Sequence, residues 1–264
     1  MMLLSKPELN HKIKKNIKMG YLTYSLNLAH SNLSGINVCP MAVKLIGKNQ
    51  NQDRDFDQNS LSNCSDCCVG FNGNAAIFSV VMESRIKKTI AFFKDRKFFL
   101  NSLAYEIEKA IKIANKKGLI PSFRLNAYSD IRWENYIIKD NKNIFQLFPK
   151  AVFYDYSKLI NRVTPDNYQI TYSHYGNWNN TAAALNQGLN VSIVFEALPK
   201  QLTINNISYA VVDGDVSDVR IDERINNKPV IVGLRFKGSK AKLNQAIADS
   251  FALPKATNER AYIC

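Results

Sequence analysis

Between residues 119 and 238 the chain passes through six short apolar runs: LIPSFRLNAYSD, AVFYDYSK, NYQITYSHYG, NVSIVFEALP, ISYAVVDGD and KPVIVGLRFKG. Apolar runs of this length suit strands buried on both faces, because a half-solvated strand would alternate apolar with polar residues. Four of the five connections are short or compatible with a helix, as in NWNNTAAALNQG before residue 190. Buried strands alternating with crossovers predict an α/β chain with parallel strands in a single domain, folded as a partial or complete TIM-like (β/α) barrel.

Upstream lie a leading strand and two helices. GYLTYSLNLAH, residues 20–30, sets aromatic and apolar residues at alternating positions and reads as a strand. The segment AAIFSVVMESRIKKTIAFFKDRKFF carries Ile77, Val81, Ile86, Ile90 and Phe93 at roughly helical spacing. A second helix over 100–117 presents Leu103, Ile107, Ile111 and Ala114 on one face and stops at Gly118, which suits a left-handed cap. Residues 1–19, with Lys6, His11, Lys12, Lys14, Lys15 and Lys18, predict a mobile or weakly helical basic arm. Residues 20–238 form the β/α domain, with a cysteine-containing loop at 39–68 that encloses a polar insertion at 44–62; residues 239–264 read as a C-terminal helix or tail.

With 35 Lys and Arg against 22 Asp and Glu, the net charge of +13 favours contact with polyanions, so nucleic acid is one candidate partner. The Asn-, Ile- and Lys-rich composition also follows from AT-rich coding, which would raise the charge without any partner. No apolar run approaches the roughly 20 residues that a bilayer span needs, and the N-terminal stretch lacks the apolar segment and cleavage site of an export signal. The expectation is a soluble chain with no membrane partner, in the host cytoplasm, or in a plastid if organelle-encoded.

Parallel α/β proteins place their sites at the carboxyl ends of the strands, and here each run turns polar at that end. The first finishes at Arg124, Asn126, Ser129 and Asp130, with Trp133 and Glu134 beyond; the next at Asp155, Tyr156 and Lys158. Ser173 and His174, Glu196, Asp213 with Asp215, and Arg235 with Lys237 follow on the later runs. From these, Asp130, Glu134, Asp155 and Asp213 are candidate catalytic carboxylates, and Arg124 and Tyr156 candidate substrate contacts. The DGDVSD stretch, 213–218, is too short for a calcium loop and reads as a turn, with Arg220 as its ion-pair partner. Tyr154 and Lys158 have a Tyr-x-x-x-Lys spacing, but no glycine-rich dinucleotide turn follows the first strand. The histidines, His11, His30 and His174, form no closely spaced metal-binding pair.

Cys39 closes the loop after the leading strand, and Cys64, Cys67 and Cys68 lie just before a long helix. Five cysteines, an odd number, make a poor disulfide framework for a chain with 46% hydrophobic residues. Cys64 and Cys67 have the spacing of a zinc knuckle, which Cys39 and His30 would complete; the other reading is inert packing.

The ordered set GYLT, LNLA, SGINVCP, CCVGFNG, RIKKTIAFFKDRKFF, KGLIPSFRLNAYSDIRWE, FYDYSK, NYQITYS, VDGDVSDVR and VIVGLRFKG resembles the phage and plasmid family called gene product 88 over about residues 20–238. That resemblance implies no known activity. Matched to its Cys-Pro, spacer and Cys-x-x-x-Cys pattern, the thiols are Cys39, Cys64 and Cys68, with Cys67 an extra one. The chain is more loosely similar to the partial barrels of radical S-adenosylmethionine enzymes, although Phe71 stands where their third cysteine belongs. This likeness implies an iron-sulfur cluster on Cys39, Cys64 and Cys68, with S-adenosylmethionine and a small-molecule or nucleotide-like ligand on the strand ends. Asn126, Ser173 and Glu196 would then bond the nucleoside, and Arg235 or Lys237 a carboxylate or phosphate. The rival expectation is a noncatalytic, replication-associated nucleic-acid binder with structural zinc, using the basic arm together with Lys87, Lys88, Lys94, Arg96 and Lys97.

Overall fold

The computed structural model describes residues 1–7, 11–30, 33–42, 78–221, 223–255 and 260–263. The chain begins with β1 (Leu4–Ser5), α1 (His11–Lys14) running into a 3-10 turn (Lys15–Met19), and β2 (Tyr21–Leu26). Two long helices, α2 (Ser79–Lys94) and α3 (Arg96–Lys116), lead to β3 (Ile120–Arg124). A small hairpin of β4 (Ile137–Lys139) and β5 (Lys142–Asn143) precedes α4 (Ile144–Leu147), β6 (Val152–Ser157) and β7 (Tyr168–Ser173). Then come α5 (Trp178–Asn186), β8 (Val191–Phe195), β9 (Gln201–Ile204), β10 (Ile207–Asp213), β11 (Ile231–Arg235), α6 (Lys240–Ala248), β12 (Ala252–Leu253) and β13 (Arg260–Ile263).

All six apolar runs are strands of one sheet, and so is the leading segment. The sheet order is β1-β2-β3-β6-β7-β8-β11-β10-β9-β13, with β12 against β8. Six neighbours, β2, β3, β6, β7, β8 and β11, are parallel and lie side by side in chain order. β10 is parallel to β11 on its outer side, and its antiparallel partner β9 reaches it through Asn205 and Asn206, both at positive φ. Two such residues suit a tight hairpin turn, and the hairpin builds a mixed edge onto the parallel sheet. Among the described residues β1 and β13 end the strand order without meeting, so the sheet is open and no closed barrel is seen.

The register decides which side chains share a face. Thr23 lies opposite Ser122 and Ser25 opposite Arg124; Tyr154 and Tyr156 pair with Gln169 and Thr171. Strand alternation therefore gathers Thr23, Ser25, Ser122, Arg124, Tyr154, Tyr156 and Thr171 on one face. The opposite face holds Leu22, Tyr24, Leu26, Phe123, Phe153 and Ile170, which form a core with Phe92 of α2 and Phe99, Leu103 and Ile107 of α3. Phe123 stacks between Tyr24 at 6.0 Å and Phe153 at 5.2 Å between centroids. The runs predicted strands apolar on both faces; one face is instead buried yet polar.

Three further expectations change. The first helix does not continue through Phe99, because Asp95 breaks it and caps α3 by accepting from Phe98 N at 3.0 Å. The inward face of α2 is Arg85, Lys88, Thr89 and Phe92, whereas Val81, Ile90 and Phe93 of the expected apolar face are exposed. These inward polar groups serve loop backbone: Thr89 Oγ1 accepts from Ala29 N at 2.8 Å and Lys88 Nζ donates to Leu3 O at 2.8 Å. The third change concerns the basic arm, which packs onto the sheet. Leu3, Leu4 and Ile13 are buried, Asn16 is fully enclosed, and Lys15 Nζ reaches Asp215 O at 3.0 Å. The second helix behaves as read, with Leu103, Ile107 and Ala114 buried and Gly118 at φ 64 behind its end.

Truncating Phe123 should leave a void between the rings of Tyr24 and Phe153, the latter already held edge-on by Phe145 at 4.9 Å. Phe123→Ala is expected to cost about 3–5 kcal/mol in urea unfolding, against less than about 0.5 kcal/mol for Phe98→Ala at an exposed helix position.

Candidate functional site

The polar face of the sheet is organised around Asp218, in the loop after β10. Arg124 NH1 donates to both of its carboxylate oxygens, at 3.0 and 2.9 Å, and Tyr154 OH to one of them at 3.2 Å. Asn16 reaches the same place: its Oδ1 accepts from Asp218 N and Ser217 Oγ, and its amide donates to Thr23 Oγ1 at 2.9 Å. Thr23 and Ser122 share a hydrogen bond of 2.6 Å. Arg220 completes the loop by donating to the carbonyls of Gly214 and Ser217, to Tyr156 OH at 2.9 Å, and to Glu223. Burial disfavours the Arg124 cation, but Asp218 and the flanking tyrosines outweigh it, so the pKa lies above the ordinary arginine value. Burial, and next the charge of Asp218, push the Tyr156 hydroxyl up to about 12.

A second cluster occupies the carboxyl ends of β3 and β6. The Asn126 carboxamide is the hub of the 126–133 loop: its Oδ1 accepts from Ser129 Oγ, Ile131 N and Trp133 Nε1, and its Nδ2 donates to Ile131 O. Asp155 accepts from Asn126 N at 2.8 Å and Tyr168 OH at 3.1 Å. Arg162 crosses the cluster, donating to Glu134 at 2.9 and 2.6 Å, to Tyr168 OH, and more distantly to Asp130. Asp130 also receives Ser157 Oγ at 2.7 Å and Lys158 N at 2.8 Å. Lys158 Nζ donates to Ser173 Oγ at 3.2 Å on the half-exposed rim. Burial raises the Asp155 carboxyl to about 7 despite the opposing pull of Arg124 and the Asn126 amide. Asp130 is raised by the same cause, which Arg162 and Ser157 only partly reverse.

The sequence grouped these strand-end residues as one pocket, and the structure divides them. Asn126, Asp130, Glu134 and Asp155 come together, whereas Arg124 and Tyr156 belong to the opposite face, since neighbours on a strand point to opposite sides. Asp213 pairs with Arg235 at 2.9 Å, and Asp215 with Lys237 at 2.7 Å, in an exposed group at the β10 and β11 ends. Glu196 binds Lys240 at 2.6 Å and Lys255 N at 3.0 Å. Within the DGDVSD stretch, Asp218 pairs with Arg124, and the ion-pair partner of Arg220 is Glu223. Tyr154 and Lys158 have different partners, Asp218 and Ser173. His174 bridges Thr181 and Ser250 O, and burial lowers its pKa to about 4.

Cys39 is half-buried, and its thiol donates to Tyr128 O at 3.5 Å in the loop after β3. Cys64, Cys67 and Cys68 lie outside the described residues, among which no group of three metal-ligating side chains occurs. The basic run does not form one charged surface: Lys88 is buried and Arg96 stacks over the rings of Phe92 and Tyr136. Asn16, Arg85, Arg162 and Tyr168 are among the residues that sequence reading passed over. A cue for Arg162 was the crossover 158–167, too polar for a helix, in which a lone arginine faces a strand edge rich in carboxylates.

Fold and site together define an open, mostly parallel α/β protein whose ionisable residues gather at the carboxyl edge of serially wound strands. Within that class the chain belongs to the gene product 88 family, whose model matches residues 2–252. No curated protein and no solved structure matches it. Among the described residues no helix is long and apolar enough to cross a membrane.

Because Asp155 keeps its proton to a higher pH in the folded chain than in the unfolded one, the unfolded state binds fewer protons between about pH 4 and pH 7. Its contribution to stability therefore falls by a few kcal/mol as pH rises through that window. Asp155→Asn removes the titration, so its destabilisation relative to wild type, read from urea midpoints, should be smaller at pH 8 than at pH 5. An equal or larger penalty at pH 8 would contradict the raised value.

Proposed function

We propose that this chain is an iron-sulfur protein on a partial (β/α) barrel, a radical-type enzyme in which Cys39, Cys64 and Cys68 hold the cluster and the carboxyl rim receives a small polar substrate. The position of Cys39 carries the reading. It stands in the loop after the first of six parallel strands wound in serial order, and its thiol meets the loop after the second. Soft sulfur ligands suit both iron-sulfur clusters and zinc, and the serial winding with a cysteine loop after its first strand favours the former. A cluster bound there would supply one-electron chemistry with S-adenosylmethionine.

The chain's own residues then have defined tasks. Lys158 and Ser173, half-exposed on the rim, offer a cation and a hydroxyl to the substrate. Asn126 and Arg162 act through others, fixing the 126–133 loop and holding Glu134 in place. Asp155 keeps a proton near neutral pH on the enclosed side of that loop.

The test is anaerobic purification of the full chain with iron, zinc and acid-labile sulfide analysis. A brown protein with iron and sulfide, most of which is lost in Cys39→Ala and Cys64→Ala, is the expected result. A colourless protein, with zinc or without metal, overturns the proposal.

A further inference from the structure

Among the described residues four arginine side chains are largely buried, and three of them meet a carboxylate. Arg124 pairs with Asp218 at 2.9 Å, Arg162 with Glu134 at 2.6 Å, and Arg220 with Glu223 at 3.1 Å. Arg85, 6% exposed, has no carboxylate partner among the described residues, and its Nε and NH1 make no hydrogen bond. A guanidinium cannot shed its proton at any ordinary pH, so burial leaves it charged, and an uncompensated buried charge is strongly unfavourable.

The described neighbours of Arg85 are an aromatic ring, an imidazole and a lysine. Its guanidinium lies 3.9 Å from the Tyr128 ring centroid, a contact that offsets part of the lost hydration. His30, fully enclosed, has its pKa lowered by burial and next by the charge of Arg85, and Lys88 lies one helical turn away. Glu106 of α3, whose charge acts on Lys88, is already engaged by Leu3 N and Leu4 N at 2.8–3.0 Å. Arg85 is anchored at the carboxyl rim, because Tyr128 belongs to the loop after β3 and His30 to the segment after β2. By contrast, Arg235 and Lys237 are already neutralised by Asp213 and Asp215.

We propose that Arg85 is the receptor for a small oxyanion, the carboxylate or phosphate of a ligand seated at the rim of β2 and β3 beside Tyr128. The site goes beyond the cluster reading and needs no metal.

The experiment is thermal unfolding of the full chain in sodium chloride, with phosphate or acetate substituted at matched ionic strength. One of the two should raise the wild-type midpoint; a response to phosphate marks a phosphate ester, and a response to acetate marks a carboxylate. Arg85→Met should weaken that response about tenfold or more, while melting in chloride no lower than wild type because it removes an unmatched charge. Arg162→Met, stripped of a matched pair, should melt lower. Should Arg85→Met not fold, Arg85→Lys keeps the charge without the planar donors and should show the same loss of response. The proposal is overturned if neither ion raises the wild-type midpoint, or if the gain persists in the variant as a general salt effect.

Discussion

A permanently charged side chain on a buried strand has to meet a carboxylate, and Arg124 meets one 94 residues away in the chain. That single demand fixes much of the polar face. The loop after β10 brings Asp218 to Arg124 although β11, β8, β7 and β6 stand between β10 and β3 in the sheet order, and Arg220 holds the loop's own carbonyls. Asn16 joins the N-terminal segment to the same point through the Asp218 amide. Separating either charge would leave the other buried and unmatched, an error of roughly 3–5 kcal/mol for pairs of this kind. The hydroxyls of Thr23, Ser122, Tyr154 and Tyr156 thus face an ionic interior, which is why strands that look apolar in sequence carry a polar residue at every second position on one side.

The same rule governs α2. A helix against a sheet usually buries aliphatic residues, and a pattern search selects Val81, Ile90 and Phe93 as its inner face. The segments that α2 covers, residues 29–30 and Leu3, leave backbone groups without strand partners, and Thr89 and Lys88 supply them. An unpaired amide in the interior costs more than an apolar contact gains, so the helix turns its donors and acceptors inward. Ile90 and Phe93 are left outside, while Phe92 still enters the core. The α3 helix meets the same N-terminal backbone through one side chain, Glu106, which accepts from Leu3 N and Leu4 N, and otherwise buries the aliphatic stripe that its spacing predicts.

This contrast explains what could be read in advance. Local patterning found the seven long parallel strands from β2 to β11 and α3, but not β12 and β13 of the C-terminal segment, because hydrophobic burial and turn geometry decide the longer elements within a few residues of chain. The fate of polar residues was not local. Asp155 and Tyr156 are adjacent in sequence yet serve opposite faces, and Asp213 finds Arg235 rather than the carboxylates of β3 and β6. Arg162 organises Asp130, Glu134 and Tyr168 from a crossover with no secondary structure to announce it. Each of these outcomes depends on which distant strand lies alongside, and sheet order is not written in periodicity.

Where the sheet leaves room for chemistry follows from how it is filled. In open parallel sheets the crevice at the carboxyl edge is the natural ligand position. Here β8 pairs with β7 over its first residues and with β12 over its last, so the gap that opens between β7 and β8 is plugged by chain. His174 secures the plug from the β7 side: its Nε2–H donates to Ser250 O at 2.8 Å, two residues before β12, which obliges Nδ1 to accept from Thr181. The β10 and β11 ends are closed by their own ion pairs, and the β6 end by Arg162. What these closures leave unmatched is the start of the sheet, where the thiol of Cys39 touches the backbone of Tyr128 and the guanidinium of Arg85 covers its ring. Among the described residues, no other part of the edge sets a thiol and a guanidinium without a carboxylate partner on one tyrosine.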